Sequence, residues 1–331
     1  MPELMSWAAA VLVWCVALAA ALWVAGAIYF DACGGTRLGQ VLGVLWVAAT
    51  VALLAAWEPL WQPAAALAAA TGAFVAWWLS QEPSHARDWD PSVAVLPRAE
   101  VNGDAVTIRD LRNFDYPAPG AFTPRYETRT VHLADLRAAD IIFFTWGSKW
   151  MSHPVLVFDF GPDGRVCVSV EVRYRAGQGF SALRSLYRQQ ELVIVLADER
   201  DAILRRTRYA TNQVGRLYRL AAAPDELRVV FRDYAAAVNA LYERPRWYHG
   251  LCMNCTTTFY RLPGTRLRLD WRVIANGLLD RALYDDGRID TSLPFEDLRR
   301  LAVLNDIANA APAAGFGDHL RTELERRRHE R

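Results

Sequence analysis

Cysteine is scarce in this chain. Five are scattered over 331 residues, at positions 15, 33, 167, 252 and 255. An odd number without framework spacing excludes a disulfide-stapled scaffold. Net charge is small as well, +1 at pH 7, so bulk electrostatics gives no case for nucleic-acid binding. Charge is scarcest early in the chain. Residues 1–80 hold only Glu3, Asp31, Arg37 and Glu58 as formal charges. No basic segment precedes the first apolar run, which with its length argues against a signal peptide. Internal repeats are missing, and low complexity is confined to Ala-rich apolar stretches.

What is present is apolar residue, 53% of the chain, concentrated in three early runs. Ser6–Phe30 and Gly39–Trp57 carry no charge, and Leu60–Leu79 is interrupted early by Gln62 and Pro63. A helix needs roughly 20 apolar residues to cross a bilayer. The spacing therefore predicts a three-helix transmembrane bundle, about 6–30, 39–57 and 60–79. Trp7, Tyr29, Trp57, Trp61, Trp77 and Trp78 sit near the run ends, where aromatic side chains favour the membrane interface. A buried helical hairpin of a soluble domain is the rival, and no run has the polar face it would need.

Composition changes at "SQEPSHARDWDP". Residues 81–107, with Pro83, Pro91 and Pro97, read as an extended linker, and 108–331 as one α+β domain. Asp110–Thr130 is polar and turn-rich and reads as loop with short extended pieces. "HPVLVFDF", "GPDG" and "RVCVSVEVRY" read as a β-hairpin in a small, mostly antiparallel sheet. Val166, Val168, Val170 and Val172 alternate with Cys167, Ser169, Glu171 and Arg173, so the valines face a core and the others share the opposite face. Asp225–Tyr242 has helical spacing and stops before Pro245. Arg272–Tyr284 and Phe295–Ala310 are also expected as helices, and "LRTELERRRHER" as a solvated helix end.

The chemistry concentrates in "YHGLCMNCTTTFYRLPG", Tyr248–Gly264. Asn254 is a good N-cap, which predicts a helix from Cys255 to about Leu262. A thiol at a helix start is stabilised as the thiolate, and the same N–H groups can hold an oxyanion. A thiolate nucleophile needs a base, usually His. Of six histidines, His153 at the start of "PVLVFDF" is the candidate, because a strand-end imidazole can face a helix N-terminus. Glu171 lies on the neighbouring hairpin strand and could orient it. Taken by itself, His153 reads equally well as a satisfied strand-end residue, and Glu171 better as a surface carboxylate paired with Arg173 or Arg175. Tyr116, Arg173 and Tyr248 are candidate groove residues; Trp247 reads better as core.

"NFDYPAPGAFTPRYE", "SHPVLVFDFGPDG", "VSVEVRYRAGQGFS", "ELVIVLADERD", "LYRL" and "PRWYHGLCMNCTT" follow in the order seen in the Lnb N-terminal periplasmic domain family, which about residues 90–290 resemble. The family resembles a circularly permuted papain-type cysteine fold, with the His strand ahead of the Cys helix. It takes its name from a bacterial enzyme that moves an acyl chain within a lipoprotein's lipidated N-terminus. The resemblance implies Cys255 as nucleophile and His153 as base. Asn254 and Glu171 match motif positions, to which capping and orienting work is assigned here; Thr256 stands beside the nucleophile. It also implies an inner-membrane, multi-pass protein of a bacterium with the catalytic domain in the periplasm. Arg37 alone would favour the opposite orientation. The expected function is a membrane-anchored cysteine acyltransferase or hydrolase acting on a membrane lipid or lipoprotein, with no metal and no cofactor. Alternatives are a cell-wall peptidase or amidase of NlpC-like type, a thiol–disulfide oxidoreductase using Cys252 and Cys255, and a binding module without turnover. A zinc site of His153, His249, Cys252 and Cys255 would want a second close-spaced ligand pair, and the chain has none.

Overall fold

In the computed structural model the described residues are 2–148, 150–250, 272 and 276–330. They form two compact units, one of Met1–Ala86 with Gly179–Glu191, the other of Arg87–Gln178 with Leu192–Arg331.

The first unit is helical. α1 (Pro2–Ala27) ends in a π-turn at Ile28–Ala32, and is followed by α2 (Arg37–Ala56) and α3 (Trp61–Leu79). Thr36 caps α2 by accepting from Gly39 N at 3.4 Å. Two segments, Trp7–Ala32 and Arg37–Ala56, are long and apolar enough to cross a membrane, and α3 is not in that pair. Gly39 and Gly43 stand four apart where α2 meets α1. A Cβ at Gly43 would lie 3.1 Å from Ala25 O, and one at Gly39 would lie 3.1 Å from Tyr29 Cα. Such small-residue spacing lets two helix backbones approach closely, a packing mode favoured in lipid. Val11, Leu12, Val16, Leu22, Val41, Val44 and Leu45 are exposed.

The second unit is α+β around a mixed sheet. Its strands are β1 (Arg98–Asn102), β2 (Ala105–Arg112), β3 (Asp115–Ala118), β4 (Ala121–Thr123), β5 (Tyr126–His132), β6 (Ala138–Thr145), β7 (Ser152–Asp159), β8 (Arg165–Arg173), β9 (Glu191–Asp198) and β10 (Val214–Arg219). The main sheet has eight strands in the order β1-β2-β9-β8-β7-β6-β10, with β5 also on β2; β3 and β4 pair separately. β2 meets β9 in parallel at Arg112↔Ala197, while β6, β7 and β8 are antiparallel neighbours. The sheet is thus larger than the small one expected. Most of the added strands come from residues read as linker or as loop with short extended pieces: β1 lies inside 81–107, β2 runs across its end, and β5 lies at the close of the polar turn-rich stretch. They escape pattern reading because edge strands bury little, as in β1, where only Ala99 is buried.

The β7–β8 hairpin forms as predicted, closed by a 3₁₀ turn at Gly161–Asp163 with Gly164 at φ 87°. Val166, Val168 and Val170 do face one core, with α5 (Pro224–Glu243) packed there through Leu227, Phe231 and Tyr234. The opposite face is a second core rather than a polar surface. Val155, Val157 and Cys167 pack there with Ile203, Leu304 and Phe316. Beyond 275 the structure has α6 (Leu279–Asp285), α7 (Phe295–Leu301), α8 (Asn305–Ala310) and α9 (Phe316–His329). So the helix expected over Phe295–Ala310 is two, and the charged tail is not merely solvated: Phe316, Leu320 and Leu324 are buried.

Candidate functional site

The hairpin register builds the site. Val155↔Ser169 and Val157↔Cys167 are paired, and the same register carried two residues further sets His153 opposite Glu171. All six residues share one sheet face because side chains alternate. His153 is 8% exposed and Glu171 8%, so neither is a surface group. Their link runs through a third residue. His153 Nε2 lies 2.7 Å from Ser169 Oγ, which in turn donates to Glu171 Oε1 at 2.9 Å.

Glu171 is held by α4 (Glu199–Leu204) and the π-turn Arg205–Tyr209 that continues it. Arg206 Nη2 donates to Glu171 Oε1 at 2.9 Å, and Arg205 Nη2 stands 4.0 Å from Oε2. A π-turn adds a residue to the helical step, which re-aims side chains and recurs at functional sites. Here it offers two successive arginines to one carboxylate. Glu171 therefore pairs with neither Arg173 nor Arg175.

The charges can be assigned. Burial pushes the Glu171 carboxyl up, but the guanidinium groups of Arg206, Arg205 and Arg112 outweigh it and hold the group well below the usual carboxylate range. An ionised carboxylate only accepts, so Ser169 spends its single hydroxyl proton on Glu171. Ser169 then accepts from His153, which fixes the proton on Nε2 and leaves Nδ1 with its lone pair. Burial, with Arg206 next, pushes the imidazole down to about 3 against the pull of Glu171. His153 is thus a neutral imidazole with a defined tautomer, its Nδ1 unprotonated.

A second layer stands behind this chain. Arg112 bonds Asp201 through Nε and Nη2, the latter at 2.9 Å to Oδ1. Asp201 also accepts from Tyr116 Oη at 2.8 Å and from Phe114 N at 2.7 Å. Burial raises the Tyr116 hydroxyl well above the ordinary range, so it stays a donor. Arg173 donates to Val93 O at 3.1 Å and to Ala94 O at 2.5 Å, and lies over the Trp89 ring. It thereby clamps part of the stretch read as linker onto β8.

Of the predicted site residues, His153 and Glu171 meet through Ser169. Tyr116 and Arg173 are buried supports without a described place in a groove. Tyr248 is a core residue, grouped with Val166 and Phe231 and not with Val155 and Cys167. Cys255, Asn254, Thr256 and Cys252 lie outside the described residues. Among the described cysteines, Cys15 is exposed on α1 and Cys33 half-buried after it. Cys167 is fully buried, and burial with the Glu199 carboxylate pushes its thiol up, the wrong direction for a nucleophile. Ser169, Arg205, Arg206, Arg112 and Asp201 were missed by pattern reading. The one available signal was Ser169, two residues before Glu171 and so on the same face.

The sequence model of the Lnb N-terminal periplasmic domain family matches residues 122–277. This segment belongs to that family. The Lnb-type segment contains β5 to β10, hence both strands that carry His153, Ser169 and Glu171, and the cysteine stretch after Tyr248. The chain therefore joins a periplasmic domain to N-terminal helices of which two suit a membrane. No curated protein and no solved structure matches it.

Proposed function

We propose that this is a multi-pass protein of a bacterial inner membrane whose periplasmic domain is a permuted papain-like cysteine acyltransferase or hydrolase. Its three N-terminal helices act as a transmembrane bundle. The substrate is an ester- or amide-linked acyl group on a membrane lipid or lipoprotein. The observation that carries the reading is the buried chain His153–Ser169–Glu171, with a neutral imidazole whose proton sits on Nε2.

In this mechanism Cys255 Sγ passes its proton to His153 Nδ1 as it attacks the acyl carbonyl. The carbonyl carbon–oxygen or carbon–nitrogen bond to the leaving group breaks, and the leaving atom takes that proton from His153. An acceptor amine or water then attacks the thioester and gives a proton back through His153. The acyl group leaves on the acceptor and Cys255 returns as the thiol. Ser169 and Glu171 keep the tautomer and share the positive charge that His153 carries between the two transfers. Asn254 and Thr256, read from the sequence pattern, are assigned supporting work beside the nucleophile, the second as an oxyanion donor.

The test is acylation of lipoprotein N-termini, read by mass spectrometry in cells that depend on this chain. Cys255→Ala and His153→Ala should each lower transfer by about 10²–10⁴-fold, the usual scale for removing a nucleophile's base. Parallel assays on muropeptides separate peptidase activity. Full transfer by either variant removes the proposal.

A further inference from the structure

Gly179–Glu191 follows β8 in the chain but packs within the helical unit. It is folded as a compact turn. Ser185 N donates to Ser181 O at 3.0 Å, Ser185 Oγ to Ala182 O at 2.6 Å, and Tyr187 N to Arg184 O at 3.0 Å. It is anchored on the C-terminal ends of α1 and α3. The Tyr187 ring stacks on Trp23 at 6.4 Å and on Phe30 at 5.0 Å. Its hydroxyl occupies the space over Gly26, where a Cβ would lie 1.8 Å away. Gly26 is thus the notch that receives the turn.

One carboxylate ties the arrangement. Asp31 accepts from Trp78 Nε1 at 2.7 Å, from Gln189 Nε2 at 2.7 Å and from Arg188 N at 3.4 Å. Arg188 also donates to the carbonyls of Leu79 and Gln81 and lies over the Trp78 ring. Trp, Tyr and Arg collected at the ends of two apolar helices is the composition of a membrane–water boundary. On this anchored turn Phe180 is 49% exposed and Leu183 57%. Both are large and apolar, and the helices of the same unit expose apolar side chains of their own.

We propose that Gly179–Glu191 is a membrane-interface element whose Phe180 and Leu183 side chains enter the bilayer beside the C-terminal ends of α1 and α3. The occupant is phospholipid. Burying two such side chains in acyl region is favourable, and Arg184 in the same turn suits the phosphate layer. The inference rests on the membrane reading of α1 to α3. It adds that the segment directly after the Glu171-bearing strand is itself in contact with lipid.

The test uses the full chain in native membranes with p-benzoylphenylalanine at Phe180 or at Leu183. Val229 on α5, 50% exposed, serves as the control position. After irradiation, mass spectrometry should find phospholipid adducts at 180 and 183 and none at 229. Adducts to another protein only, or a lipid yield no higher than at 229, overturn the proposal. Carbonate extraction is run on the same membranes. A chain that stays integrated without adducts refutes the interface element alone, whereas a chain that is extracted refutes the membrane reading along with it.

Discussion

Two buried carboxylate clusters lie in the α+β unit, and they push their glutamates in opposite directions. In one, Glu171 faces Arg206, Arg205 and Arg112, and its carboxyl is held low despite burial. In the other, Arg321 of α9 bonds both Asp140 of β6 at 2.5 Å and Glu199 at 2.9 Å. There burial raises the Glu199 carboxyl, and the nearby Asp140 charge adds to the rise against Arg321 and Arg165. In the first cluster three arginines surround Glu171, Arg112 being shared with Asp201; in the second Arg321 bridges Asp140 and Glu199, with Arg219 also on Asp140 at 2.6 Å and Arg165 3.8 Å from Glu199. The consequence is chemical. Burial, with the positive charge of Arg206 and Arg205, keeps the His153 imidazole unprotonated, and the arginines keep Glu171 ionised. The second cluster ties a helix to the sheet and has no titratable group poised for transfer. Burial and ion pairing are common to both, so neither feature marks a site. What only the first cluster has is a neutral histidine at the end of its hydrogen-bond chain, the feature on which the proposed function rests.

The comparison breaks most visibly at its arginines. Removing one partner of a buried pair leaves a charge uncompensated and costs about 3–5 kcal/mol. Arg206→Met and Arg321→Met should both destabilise the detergent-solubilised chain on that scale. They should differ in function: acyl transfer per folded molecule falls in Arg206→Met and is unchanged in Arg321→Met. Thermal unfolding with an activity assay on the folded fraction checks this. Equal loss of activity in both variants would mean the two clusters are alike and the distinction is false.

How much of this could be read beforehand follows from sequence distance. The apolar helices are marked by the length of their uncharged runs and the β7–β8 hairpin by its alternation, so segment reading found them, and it put His153 and Glu171 on adjacent strands. Arg206 bonds Glu171 across 35 positions, and Arg188 meets Asp31 across 157. No local pattern encodes such meetings. Edge strands with a single buried residue hide for the opposite reason, since they have too little pattern to detect. The buried state of Glu171 was also hidden, because an acid alternating with valines reads as a solvent face until a second core covers it. The nucleophile segment was read from Asn254 and Cys255 and lies outside the described residues.

A smaller effect sharpens the relay itself. Ser169→Ala removes the only described bridge between Glu171 and His153 and leaves a buried acceptor short of a donor. The expected cost is about 1–3 kcal/mol of stability. A positioning role predicts more than that: acyl transfer should fall with a changed pH profile, because the tautomer is no longer fixed. Ser169→Thr keeps the hydroxyl and should restore the profile. If Ser169→Ala lost stability but kept the wild-type pH profile, the residue would be a packing element only.

The gentlest test is proton linkage. The His153 imidazole is pushed down to about 3, below its ordinary value of 6.5. Between those values the unfolded chain binds a proton that the folded chain refuses, so stability must fall as pH falls through that window. One proton gives a slope of up to about 1.4 kcal/mol per pH unit. Glu171, also held low, adds the same sign only below its ordinary 4.5. Glu199, held high, acts oppositely just above 4.5, since there the folded state keeps the extra proton. The interval nearest 6.5 therefore isolates the imidazole from both acids. His153→Gln should flatten the pH–stability curve from about 6.5 downward relative to the parent chain, while Glu199→Gln should steepen it just above 4.5. Parallel curves for parent and His153→Gln would show an imidazole that protonates freely, and would take away the neutral histidine as the feature separating the two clusters.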